Sequence, residues 1–235
     1  MAASRTDLVV LLDRSGSMET GRTDHEGGLR SFVRDQRDLA GDVRLTLVLF
    51  DTQDPFEVVY DRTPLTGVDE AKLVLVPRGG TPLLDALGLR IHHHTKRVTD
   101  AVMRPDMVIF VVITDGQENS SKKYTLPDVK RLVREREAVG WTFLYLGANV
   151  DAFAEAGALG INAAYSANYA GTRIGTQAAY AVMTENTLGA RATLQATGNT
   201  AAAQALLVIT DKQRKRMAAK DSDEVPEAGI AKEGT

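Results

Sequence analysis

The sequence has no cysteine. That removes disulfides, thiolate zinc sites and a thiol nucleophile, and it suits a reducing compartment. An excess of one charge is missing too. The 28 Lys and Arg nearly balance 31 Asp and Glu, giving a net charge of −3. A general nucleic-acid binder is usually basic, so this balance argues against one. No apolar run approaches the roughly 20 residues of a membrane helix. The first such run, Leu8 to Leu12, is too short for a secretory signal and ends on a carboxylate. There is no P-loop lysine motif and no G-x-S-x-G word. These absences set the expectation of a cytoplasmic protein with no membrane association.

What is present suits a globular chain. Its 235 residues, 43% hydrophobic and 25% charged, can bury one sizeable core or a core plus an appendage. Short apolar runs at 7–13, 43–51, 56–61, 106–116 and 141–149 read as strands. Amphipathic or alanine-rich stretches at 26–40, 126–140, 151–160 and 168–194 read as helices, and 69–76 reads as a short one. Within 78–102, paired glycines precede Thr81 as an N-cap and Pro82 at the first helical position of another helix. Strands alternating with helices predict an α/β fold: a doubly wound, mostly parallel central sheet flanked by helices. The main domain is expected over 5–195. Beyond it, 196–220 reads as a linker and a basic helix, with capping-box spacing at Thr210 and Gln213. Residues 221–235 have the composition of a disordered tail.

In such folds ligands bind outside the carboxyl ends of the strands, where the strand order reverses. Three loops of the sequence carry oxygen groups at such positions. "DRSGS" offers Asp13, Ser15 and Ser17; "GGTPL" offers Thr81; "TDG" offers Asp115. Two carboxylates and three hydroxyls, without sulfur or imidazole, form a hard-oxygen set that suits Mg²⁺ or Mn²⁺. Alone, Asp13 and Ser15 would serve equally as helix caps, and Asp115-Gly116 as a turn.

"DRSGS", "GGTPL" and "VVITDGQENSS", in that order and at those strand ends, resemble a von Willebrand factor A domain with a metal-ion-dependent adhesion site. The word "TDGQENSS" and the long alanine-rich helix resemble the intracellular bacterial or phage forms. The resemblance implies that Ser15, Ser17 and Thr81 ligate the metal directly, and that Asp13 and Asp115 do so directly or through water. It implies a coordination position left for an acidic residue of a protein partner, with Arg14, Gly80 and Gly116 around it. It also implies an adaptor role beside an AAA+ ATPase. The function expected is a non-enzymatic, metal-dependent protein-binding module. The alternative is a Mg²⁺-dependent phosphoryl-transfer or phosphatase enzyme, since parallel α/β sheets host that chemistry as well. Against it, the first loop has no second aspartate.

Other features have plainer readings. His92, His93 and His94 are consecutive, so on a helix they fan over different faces and predict a polar surface rather than a zinc site. Lys212, Arg214, Lys215, Arg216 and Lys220 read as a solvated helix face. Trp141 and the tyrosine of that strand read as core.

Overall fold

The computed structural model describes residues 4–99 and 104–220. The expected tail over 221–235 lies outside the described residues. The strands are β1 (Arg5–Asp13), β2 (Asp42–Phe50), β3 (Glu57–Pro64), β4 (Met107–Thr114), β5 (Trp141–Gly147) and β6 (Ser166–Asn168). They form one sheet in the order β3-β2-β1-β4-β5-β6. Only the β2–β3 pair is antiparallel. β1, β4 and β5 are buried along nearly their whole length, as a sheet covered on both faces requires.

Two apolar clusters cover the two faces. Leu8, Val10 and Leu12 of β1 join α1 (Arg22–Asp38) and α5 (Arg173–Thr197) on one side. Val9 and Leu11 join α2 (Leu83–Arg97), α3 (Leu126–Glu137) and α4 (Ala152–Leu159) on the other. This is the period-2 alternation of a strand, with both sides apolar. Among the described residues no helix is long and apolar enough to cross a membrane.

Several local expectations are corrected. Residues 69–76 do not make a regular helix. Glu70–Lys72 is a single 3-10 turn, followed by an extended stretch in which Leu73 and Leu75 are buried and Val74 and Val76 exposed. Arg30 and Glu26 of α1 hold that stretch through Leu73 O (2.9 Å) and Leu75 N (2.9 Å). The linker expected from 196 is also replaced. α5 runs on to Thr197, and Asn199 caps a further helix, α6 (Thr200–Ala205), by accepting from Ala202 N at 3.0 Å. The capping box at Thr210 and Gln213 is present and starts α7 (Asp211–Met217). Ala203, Leu207, Ile209 and Met217 are fully buried in the α1/α5 cluster. The core therefore continues past residue 195. Polar caps and small residues read as loop in a sequence, whereas here they start helices whose apolar residues reach the core. β6, only three residues long, carried no strand pattern of its own.

Candidate metal centre

Chain direction decides where the loops meet. From β1 the chain crosses to β2 on one side, and β4 lies on the other side of β1. This is the switch point, and it opens a crevice above the carboxyl ends of β1 and β4. Asp13 ends β1 and Asp115 follows β4.

Asp13 is fully buried. Its Oδ1 accepts from Ser15 N at 2.7 Å and its Oδ2 from Thr114 Oγ1 at 2.6 Å. Ser15 is extended (φ −64°, ψ 165°), and the chain then tightens into the 3-10 turn Gly16–Glu19. That turn brings Ser17 Oγ within 3.0 Å of Ser15 Oγ. Ser17 Oγ donates to Asp115 Oδ1 at 2.5 Å. Thr81 belongs to the same spot: a Cβ on Gly116 would lie 3.1 Å from Thr81 Oγ1 and 3.6 Å from Ser17 Oγ. All five oxygen-bearing residues singled out in the sequence thus converge. Asp13, Ser15 and Thr81 are buried, Asp115 is half-buried and Ser17 exposed, so the group opens to solvent on one side.

Backbone contacts hold the loops in register. Gly16 N donates to Gly79 O (3.0 Å), and Gly79 takes a left-handed φ of +65° that favours glycine. Gly80 N donates to Thr52 Oγ1 at 3.1 Å. Thr81 is clamped to the third loop twice: its N–H donates to Asn119 Oδ1 (2.9 Å), and its carbonyl accepts from Asn119 N (3.2 Å).

Thr81 does not cap α2, contrary to expectation. The helix begins at Leu83 with Pro82 at the cap position and no side-chain cap. The free amides of its first turn go instead to the third loop: Leu84 N to Glu118 Oε2 (2.8 Å) and Asp85 N to Ser121 Oγ (3.0 Å). Asp85 accepts in return from the amides of Lys122, Lys123 and Tyr124 at 2.7–2.9 Å. The Thr81 hydroxyl is thereby left to the site.

Of the residues expected around the partner position, Gly80 and Gly116 sit half-buried at the rim. Arg14 does not. It is 4% exposed, and its guanidinium is held by Asp51 (Nε–Oδ2 2.7 Å) and by Glu57. A fully buried carboxylate on the neighbouring strand end draws the arginine inward, a pairing that lies 37 residues apart in sequence.

Burial pushes the Asp13 carboxyl up to about 6, against the hydrogen bonds from Thr114 and Ser15, and the nearby Asp115 adds to the rise. Burial also raises Asp115. Two carboxylates in contact with neutral donors leave negative charge uncompensated. An oxygen-only set with that deficit fits a small hard dication. Among the described residues no group of three or more His, Cys, Asp or Glu side chains gathers, so such an ion would depend on the three hydroxyls.

The three histidines do fan apart. His92 and His93 are exposed, whereas His94 is buried against Phe110 and Trp141. The basic run is partly docked on its own domain: Arg214 donates to Ala163 O (3.0 Å), and Arg216 pairs with Glu185 (2.9 Å). Trp141 and Tyr145 are core.

Thr114, Asn119, Glu118, Asp85 and Asp51 escaped the sequence reading. Thr114 and Asn119 stand within four residues of Asp115, a position that singled neither of them out.

No protein-family model matches the sequence. No curated protein matches it either. Solved structures do resemble it in fold. A von Willebrand factor type A protein from Catenulispora acidiphila aligns over 79% of this chain and 43% of that one, at 20% identity and a TM-score of 0.54. Proximal thread matrix protein 1 from the mussel byssus, described with a zinc-occupied MIDAS motif, aligns over 71% of this chain and 41% of that one, at 15% identity and a TM-score of 0.50. The pilus adhesin SpaC from Lactobacillus rhamnosus GG aligns over 79% of this chain and 31% of that one, at 12% identity and a TM-score of 0.60. The chain spans less than half the length of these proteins. Sheet order, flanking helices and these likenesses together give the chain a von Willebrand factor A-like fold.

Proposed function

We propose that this chain is a metal-dependent protein-binding module. Asp13, Ser15, Ser17, Thr81 and Asp115 would hold Mg²⁺, or Mn²⁺ in its place. A bound dication would supply the positive charge that an acidic side chain of a partner needs. The observation that carries this reading is the meeting of five oxygen-bearing residues from three loops at one solvent-open spot. The zinc-occupied motif of the mussel protein is a parallel on the same fold.

The reading is non-catalytic. Both Asp13 oxygens are committed as acceptors, to Ser15 N and Thr114 Oγ1, which is a poor arrangement for a nucleophile. We place the module in the cytoplasm, among the intracellular bacterial or phage forms, in a complex with an AAA+ ATPase. The cysteine-free sequence and the word "TDGQENSS" support that setting.

Calorimetric titration of the full chain with Mg²⁺ and Mn²⁺ tests the site. Saturable binding that Asp13→Ala abolishes is expected. No heat in the wild type, or equal heat in the variant, overturns the proposal. A pull-down from native lysate in Mg²⁺ and in EDTA then tests the partner, with retention only in Mg²⁺ expected.

A further inference from the structure

A cavity of about 150 Å³ adjoins the five-oxygen site, and nothing above gives it an occupant. It shares Ser17 and Asp115 with the site, and its other walls include Thr20, His25, Asn149 and Gly171. It therefore stands where a partner's next residue would come to rest.

His25 gives the cavity its chemistry. The residue is 3% exposed, and its Nδ1 lies 3.3 Å from the Tyr180 hydroxyl. Tyr180 is buried, and that hydroxyl has no other partner among the described residues. A buried hydroxyl proton left without an acceptor is costly, so the hydroxyl donates to Nδ1. The neutral ring then carries its own proton on Nε2. Nε2 faces the Gly21 wall of the cavity: a Cβ on Gly21 would lie 3.5 Å from it. Nε2 has no hydrogen-bond partner among the described residues. A donor on a side chain more than nine-tenths buried thus stands at the cavity without an acceptor among the described residues. The same wall is the start of α1, where Gly21 provides no side-chain cap and His25 N makes the first intrahelical bond, to Gly21 O at 3.0 Å. The amides before it add donors and the positive end of a helix dipole. A second carboxylate would meet the charge of Asp115, which lines the same cavity.

We propose that this cavity is a second subsite, taking an uncharged hydrogen-bond acceptor. The group is the side-chain carboxamide oxygen of an Asn or Gln next to the acid that meets the metal. The inference rests on the proposed function and adds a preference for what flanks the acid.

The test uses the full chain with Mg²⁺ and three blocked dipeptides, acetyl-Asp-Asn-amide, acetyl-Asp-Leu-amide and acetyl-Asn-Asn-amide, titrated by NMR. The Asp-Asn peptide is expected to bind roughly fivefold to tenfold tighter than Asp-Leu, the worth of one added hydrogen bond. It should also shift the His25 Nε2 resonance, which Asp-Leu should leave in place. Asn-Asn should not bind. His25→Phe should equalise the two acidic peptides while both remain Mg²⁺-dependent. Equal affinities for them in the wild type overturn this inference alone. No Mg²⁺-dependent binding of any acidic peptide overturns the proposed function and this subsite with it. If His25→Phe does not fold, the wild-type affinity ratio and the Nε2 shift decide.

Discussion

Strand β1 buries a carboxylate near each end, and the two are treated oppositely. Asp7, near the amino end, is 1% exposed and accepts from Arg62 Nε at 2.7 Å, with His94 Nε2 at 3.1 Å. Asp13, at the carboxyl end, is 0% exposed and meets, among the described residues, an amide, the Thr114 and Ser15 hydroxyls and a neighbouring carboxylate. The protein supplies its own cation at one end and withholds it at the other. A carboxylate with an internal cation is a structural group. One without is unstable in its charged form until a cation arrives from outside.

The largest effect should come from turning the first kind of site into the second. Arg62→Met leaves Asp7 buried without its guanidinium and should destabilise the fold by about 3–5 kcal/mol, read by urea denaturation. A loss under about 1 kcal/mol would mean that Asp7 does not depend on that ion pair.

The reverse experiment is Asp13→Asn. Its amide can still accept from Ser15 N, and the Thr114 hydroxyl can turn to its second acceptor, Gly116 O at 3.0 Å. The sign follows from linkage. The folded carboxyl is raised from 3.8 to about 6, so its stabilisation is full below about pH 4 and is lost as pH rises through 6. Without metal the variant should therefore be more stable than the wild type at pH 7.5, by about 3 kcal/mol. The difference should vanish towards pH 4. Added Mg²⁺ should stabilise only the wild type, by roughly 2.7 kcal/mol at a hundredfold excess over Kd. Equal denaturation curves across the pH range would erase the contrast between the two ends.

A smaller effect should sharpen the picture of how the Asp13 end is kept in order. Asn119→Ala removes the acceptor for Thr81 N and should weaken Mg²⁺ binding by roughly tenfold, the lower end for an outer-shell partner. Asn119→Asp keeps the acceptor and should restore most of the affinity. An unchanged Mg²⁺ affinity in Asn119→Ala would mean that Thr81 is held by its own loop.

Much of this contrast was legible in the sequence at one end of the sheet and little at the other. Asp13, Ser15 and Ser17 lie in one short word after an apolar run, and Thr81 and Asp115 each stand beside a glycine. Local spacing is enough to mark such groups. Asp7 with Arg62 and His94, or Arg14 with Asp51, are pairs joined only by strand order and by helices crossing the sheet. Arg14 shows the cost of reading locally: its place in "DRSGS" suggests the partner surface, but the end of β2 claims it.

The segment after 195 teaches the same point. Thr210 and Gln213 announced a helix start by spacing alone, and the helix is there. That Leu207, Ile209 and Met217 would be fully buried had no local sign. Burial depends on which surface lies opposite, here α5 and the short β6 edge, where Ala170 N bonds Met217 O at 2.8 Å.

By itself the sequence determined the alternation of strand and helix, the apolar faces of the sheet, and the three short words that carry the five oxygen-bearing residues. These are properties of neighbouring residues, set by side-chain period and backbone preference. Tertiary structure alone decided that the five residues meet, that the Thr81 hydroxyl does not cap α2, and that, among the described residues, Asp7 meets a guanidinium and Asp13 meets no cationic side chain. Those outcomes depend on distances between residues far apart in the chain, and strand order and loop clamps set such distances.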